Sequence, residues 1–189
     1  ILVRQFIGIE FHGLFGSLLS SFYFLLVILN LGLNYSLAPY ISQFIKSKNN
    51  LRSLVIKHFV PHIIFIIFCS IIIFLAHPYI ISFIENEGTK LSGFLFLIMS
   101  LTIVSESIKK ILKTVLQLVF CTRVAALTEV SGMYLYILVA WAGYLLDFSF
   151  NLVYCWAILL FISVAQMLIY FKVFLDLYKS LDNNNNQGD

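Results

Sequence analysis

The feature that most constrains this chain is where its positive charges fall. Long apolar stretches follow one another almost without interruption, and lysines and arginines collect in every second gap between them. Lys46, Lys48, Arg52 and Lys57 occupy one gap, and Lys109, Lys110, Lys113 and Arg123 surround another. The intervening gaps hold Glu85, Glu87 and Lys90, and then Asp147. Repeated crossing of a bilayer produces this alternation, because cytoplasmic connections retain an excess of Lys and Arg. The pattern therefore predicts a polytopic membrane protein and also gives its orientation.

Composition agrees. The chain has 61% hydrophobic and only 11% charged residues, whereas soluble domains average about 45–50% apolar and about 25% charged. A water-soluble domain with this balance could not cover its own surface. The formal net charge of +3 is juxtamembrane and implies no nucleic-acid partner. Cys69, Cys121 and Cys155 stand singly among apolar residues, without metal-ligand or paired spacing, and read as small core residues.

A helix needs about 20 residues to cross a hydrocarbon core roughly 30 Å thick. Five such spans are expected, at about 16–44, 58–84, 91–120, 124–146 and 151–175. The runs are too long and too continuously apolar for a transmembrane barrel, whose strands alternate over segments of about 10 residues. The expected fold is all-α, a five-helix transmembrane bundle. Gaps 46–57 and 109–123 lie in the cytoplasm, 85–90 and 147–150 outside, and Lys172 and Lys179 return the last span to the cytoplasm. The first span then starts outside with no targeting signal, which a preceding helix would explain. Residues 181–189, with four consecutive asparagines from Asn183 to Asn186, read as a polar disordered tail or linker.

Residues 3–42, VRQFIGIEFHGLFGSLLSSFYFLLVILNLGLNYSLAPYIS, carry Arg4, Gly8, Glu10, Gly13, Gly32 and Leu33. Residues 116–132, LQLVFCTRVAALTEVSG, carry Gln117, Arg123 and Glu129. In both segments the chain resembles the polysaccharide and O-antigen flippases of the multidrug/oligosaccharidyl-lipid/polysaccharide exporter superfamily. Asn30 stands where that family often has an acid, and Pro39 where it often has a basic residue. The resemblance implies that the five spans are helices two to six of a two-lobe transporter, with a C-terminal lobe elsewhere. It implies a multi-pass protein of the cytoplasmic (inner) membrane that moves lipid-linked oligosaccharides in surface polysaccharide and lipopolysaccharide biosynthesis. Lobes of this kind are structural repeats with the substrate path between them. A small-molecule exporter of the same superfamily, a membrane glycan polymerase and a structural subunit are the competing functions. The outer loops are too short for a polymerase's catalytic groups. No paired-carboxylate motif, glycine-rich phosphate loop or zinc spacing is present, so neither enzymatic activity nor a cofactor is expected.

The candidate substrate-binding residues are Lys109, Lys110, Lys113, Arg123, Asn30 and Asn34. Glu106, Lys110, Lys113 and Gln117 share one helical face. Its lysines form either a cationic rim for a pyrophosphate headgroup or cations snorkelling at the inner interface, with Glu106 and Lys110 as a helix pair. Counting about 20 residues from Leu91 puts Lys110 at headgroup level, which favours snorkelling. Glu106, just inside that level, and Glu129 are candidates for charge pairing or coupling. Asn30 and Asn34, four residues apart, form either a polar cavity wall or interhelical hydrogen bonds. His62 and His77 are weighed as proton relays against hydrogen-bonded neutral groups, which single intramembrane histidines more often are.

Overall fold

The computed structural model describes residue 13 and residues 15–30, 59–84, 92–118, 121–145 and 152–185. Among these, the regular secondary structure is all helical, with no strand. The first helix, α1, is Phe15–Asn30. It is followed by α2 (Val60–Leu75), α3 (His77–Ile84), α4 (Gly93–Leu118), α5 (Thr122–Leu145) and α6 (Leu152–Asn185). Two stretches are long and apolar enough to cross a membrane by length and composition, Thr122–Gly143 in α5 and Leu152–Asp176 in α6. Helices α1 and α2 are apolar but shorter. With 26 residues, α4 is about 39 Å long, but it carries Glu106, Lys109, Lys110 and Lys113 in one stretch.

The helix ends follow from local chemistry. Pro61 opens α2 in its first turn, where a missing N–H costs nothing. The span expected at 58–84 is broken, and the reason lies in Pro78. It has no N–H to give to the Phe74 carbonyl four residues back. Helix α2 stops at Leu75, Ala76 forms a turn, and α3 begins at His77. His77 Nδ1 lies 2.6 Å from the Phe74 carbonyl oxygen and takes the place of the absent donor. Ser92 caps α4, its Oγ accepting the Leu95 amide at 3.3 Å. At the other end the Cys121 amide donates to the Leu116 carbonyl at 2.8 Å and satisfies one of the carbonyls that a last helical turn leaves without a partner.

Helices α4 and α5 lie within two residues of the spans expected at 91–120 and 124–146. Helix α6 does not stop near 175. It continues to Asn185, through residues 181–185, where a disordered tail was expected. Only the first part of the span expected at 16–44 is described, and Asn34 and Pro39 lie outside the described residues.

Helix α4 is the hub. It packs most extensively against α6, then against α2, and more lightly against α5. Helix α1 reaches α6 through Phe15 and Phe22, whose rings meet Trp156 edge-on with centroids 6.2 and 4.9 Å apart. The core is built from Leu95, Ile103, Ile111 and Leu116 of α4, Leu26 of α1, Ile66 of α2, and Trp156 and Tyr170 of α6, all buried. Apolar side chains also cover the outside: Ile64, Phe68 and Leu75 on α2, and Leu127, Met133, Leu138 and Leu145 on α5, are exposed.

Candidate functional site

Polar side chains converge where α4, α5 and α6 meet. Ser105 and Lys109 are four residues apart on α4, and Ser163 and Gln166 three apart on α6, so each pair shares a helix face. The two faces meet as rungs. Ser105 Oγ and Ser163 Oγ lie 2.8 Å apart. One turn along, Lys109 Nζ donates to Gln166 Oε1 at 2.9 Å and to Glu106 Oε1 at 2.6 Å. Lys109 is only 7% exposed, so its charge is held by these two acceptors and not by solvent.

Gln166 carries the network across to α5. Its Nε2 donates to the Thr128 carbonyl at 2.7 Å. A glycine makes that reach possible: a Cβ on Gly132 would lie 2.0 Å from Gln166 Nε2 and 2.8 Å from its Cδ. The amide therefore occupies the space that any larger residue at 132 would fill.

A second, wetter pair lies beside the first. Lys113 Nζ is 3.3 Å from Glu129 Oε1, and both side chains are about one third exposed. The buried Tyr170 hydroxyl donates to the Ala125 carbonyl at 3.0 Å, and Glu129 Oε1 lies 3.2 Å from that hydroxyl oxygen. The two carboxylates and two ammonium groups of the cluster sum to zero charge.

This cluster forms one wall of a half-open recess of about 260 Å³. Tyr23 of α1 and Met133 and Tyr136 of α5 line the rest of it, with Glu106, Lys109, Glu129 and Gln166 on the polar side. Among the described residues, no group of three or more His, Cys, Asp or Glu converges as metal ligands would.

The structure places the expected site residues unequally. Glu106, Lys109, Lys113 and Glu129 come together. Lys109 is not at headgroup exposure, as snorkelling would require, because its phase on α4 points it at α6. For the same reason Glu106 pairs with Lys109 at i+3 and not with Lys110 at i+4. Lys110 is half-buried, and Arg123 is exposed at the start of α5. Asn30 does not line the recess. It is buried, with its Nδ2 donating to the Leu26 carbonyl at 2.7 Å and lying 3.4 Å from Ser107 Oγ. Its role is packing between α1 and α4.

The residues that sequence reasoning missed are Gln166, Tyr170, Gly132, Tyr23 and Tyr136. Gln166 had a visible signal, being the single amide between Leu152 and Leu175. No protein-family model, curated protein or solved structure matches the chain.

Proposed function

We propose that this helical bundle is the N-terminal lobe of a transporter that flips lipid-linked oligosaccharides across the cytoplasmic membrane. On this reading it spans the bilayer five times, with 46–57 and 109–123 inside and 85–90 and 147–150 outside. It works with a second lobe, and the substrate path runs between the two.

The observation that carries the reading is Lys109. In the proposed orientation the inner edge of the hydrocarbon lies near Arg123 on α5 and near Lys172 on α6. Gln166 is six residues inside Lys172, and Thr128 five inside Arg123, which at 1.5 Å per residue is about 8–9 Å. Lys109, bonded to Gln166, then lies at hydrocarbon depth, so on this reading the cytoplasmic stretch starts beyond it on α4 and not at residue 109. Charged side chains at that depth are expensive, face the bundle interior and mark pathways. A compensated charge pair beside a recess is the arrangement a transporter needs and a purely structural subunit does not.

Two measurements test it. With the native cysteines removed, Asn49→Cys and Asn86→Cys should react with an impermeant thiol reagent from opposite sides of intact cells. Labelling of both from outside would eliminate the five-span topology. Deletion of the complete gene should leave a lipid-linked glycan accumulated on the inner leaflet. Unchanged glycan distribution would eliminate the flippase.

A further inference from the structure

We propose that the recess between α1, α4, α5 and α6 binds one neutral, polyhydroxylic sugar ring, not a phosphate and not an organic cation. The flippase reading enters only in naming a lipid-linked glycan as the source of that ring.

Charge balance makes the first selection. The one ammonium that lines the recess, Lys109, already has Glu106 at 2.6 Å, and the second lining carboxylate, Glu129, has Lys113 at 3.3 Å; the half-buried Lys110 beside them does not line it. A phosphate entering here would find no unpaired cation in the lining and would face two carboxylates. An organic cation would have to draw one of those carboxylates off its ammonium. A neutral ligand disturbs neither pair.

Hydrogen-bonding capacity makes the second. A Lys ammonium has three donors, and Lys109 uses two, on Glu106 and Gln166. A carboxylate offers about four acceptor sites, and the Glu106–Lys109 bond uses one of those on Glu106. A free donor and free acceptors therefore stand side by side on one wall. Adjacent sugar hydroxyls, each both donor and acceptor, bridge such a pair, which a single-function ion cannot do.

Shape makes the third. Tyr23 and Tyr136 line the recess with aromatic surface and a polar tip, the combination that suits a half-polar ligand. The volume of about 260 Å³ is just under the usual range of about 300–1,000 Å³ for small-ligand pockets. That accommodates one ring and excludes a whole oligosaccharide repeat. The recess would thus recognise a single unit of a longer glycan.

The test uses the full chain in nanodiscs, since maltoside and glucoside detergents carry sugar headgroups themselves. Saturation-transfer NMR is recorded with methyl glycosides of a hexose, a deoxyhexose and an N-acetylhexosamine, and with pyrophosphate and tetramethylammonium as competitors. At least one glycoside should bind. Tyr23→Leu and Tyr136→Leu should each weaken it about three- to tenfold, the range expected for an aromatic contact. Neither ion should displace it. A geranyl-pyrophosphoryl sugar that binds more tightly and is weakened by the same substitutions identifies a lipid-linked source. Equal affinity identifies a free sugar. Tyr23 is half exposed, so its variant remains informative if Tyr136→Leu fails to fold. The inference is overturned if no glycoside binds, if either ion displaces the sugar, or if both tyrosine variants bind normally. None of these outcomes decides the flippase reading, which stands or falls on glycan accumulation in cells.

Discussion

Helices α4 and α5 are nearly equal in length, at 26 and 24 residues, and opposite in design. Helix α4 carries four charges and several serines and threonines, yet it lies at the centre, with Ser105, Ser107, Lys109, Thr102 and Ser100 all buried. Helix α5 is one of the two apolar enough to span a membrane, yet only 22% of that apolar window is buried. In water the assignment would be reversed, since polar residues are mostly exposed and apolar ones mostly buried. Here hydropathy and depth in the fold run in opposite directions. On the proposed membrane reading lipid supplies the reason: hydrocarbon would accept Leu138 and Met133 freely and exclude Lys109. The more polar of these two helices is then the one that most needs neighbours.

The strongest way to break this comparison is to remove one half of the buried pair. Lys109→Met leaves the Glu106 carboxylate, 16% exposed, without its cation. A stability loss of about 3–5 kcal/mol is expected for breaking a buried pair. Adding Glu106→Leu should recover most of that loss. Unfolding in mixed micelles measures both, and a double variant no better than the single would show that the two charges do not compensate each other.

A smaller effect sharpens the same contrast at a place where α5 does meet the polar interior. In Gly132→Ala the new methyl must displace Gln166, which costs about 1–3 kcal/mol as overpacking. The cost should largely vanish in a Gln166→Ala background, because the obstructing amide is gone. An additive double-mutant cycle would mean that the two side chains do not compete for one space.

The smallest effect belongs to the outer face. Leu138 is 57% exposed, and Leu138→Ala should change the unfolding midpoint by no more than about 0.5 kcal/mol. A loss of several times that size would place a protein neighbour, and not lipid, against α5.

The sequence revealed elements better than it revealed partners. Continuous apolar runs bounded α4 and α5 to within two residues, because hydropathy is read one residue at a time. The break at Ala76 was legible in Pro78 but was absorbed into one long apolar run. The end of α6 was not legible, because polar asparagines suit a loop in isolation as well as a last helical turn. Lys109 shows the deeper limit. Its pairing with Glu106, and not Lys110's, depends on which side of α4 faces Gln166, 57 residues further along the chain. Charge and spacing grouped Glu106, Lys110, Lys113 and Gln117 on one face, whereas the structure brings Glu106 to Lys109 and Lys113 to Glu129. Rotational phase, set by distant packing, decided which lysine met Glu106.

The turn at Ala76 has a consequence for how this segment tolerates change. His77 Nδ1 stands in for the donor that Pro78 withholds from the Phe74 carbonyl, so the two neighbours act as fault and repair. The order in which they can be exchanged is therefore fixed. A chain that has lost Pro78 can lose His77 at little cost, because an ordinary amide again reaches the carbonyl. A chain that loses His77 first keeps only a capping backbone N–H on that half-buried carbonyl, whose regular helical donor is missing, and gives up a hydrogen bond worth about 0.5–1.5 kcal/mol. Substitution records and mutational scans at these two positions should show that asymmetry, with histidine dispensable only where proline is already gone.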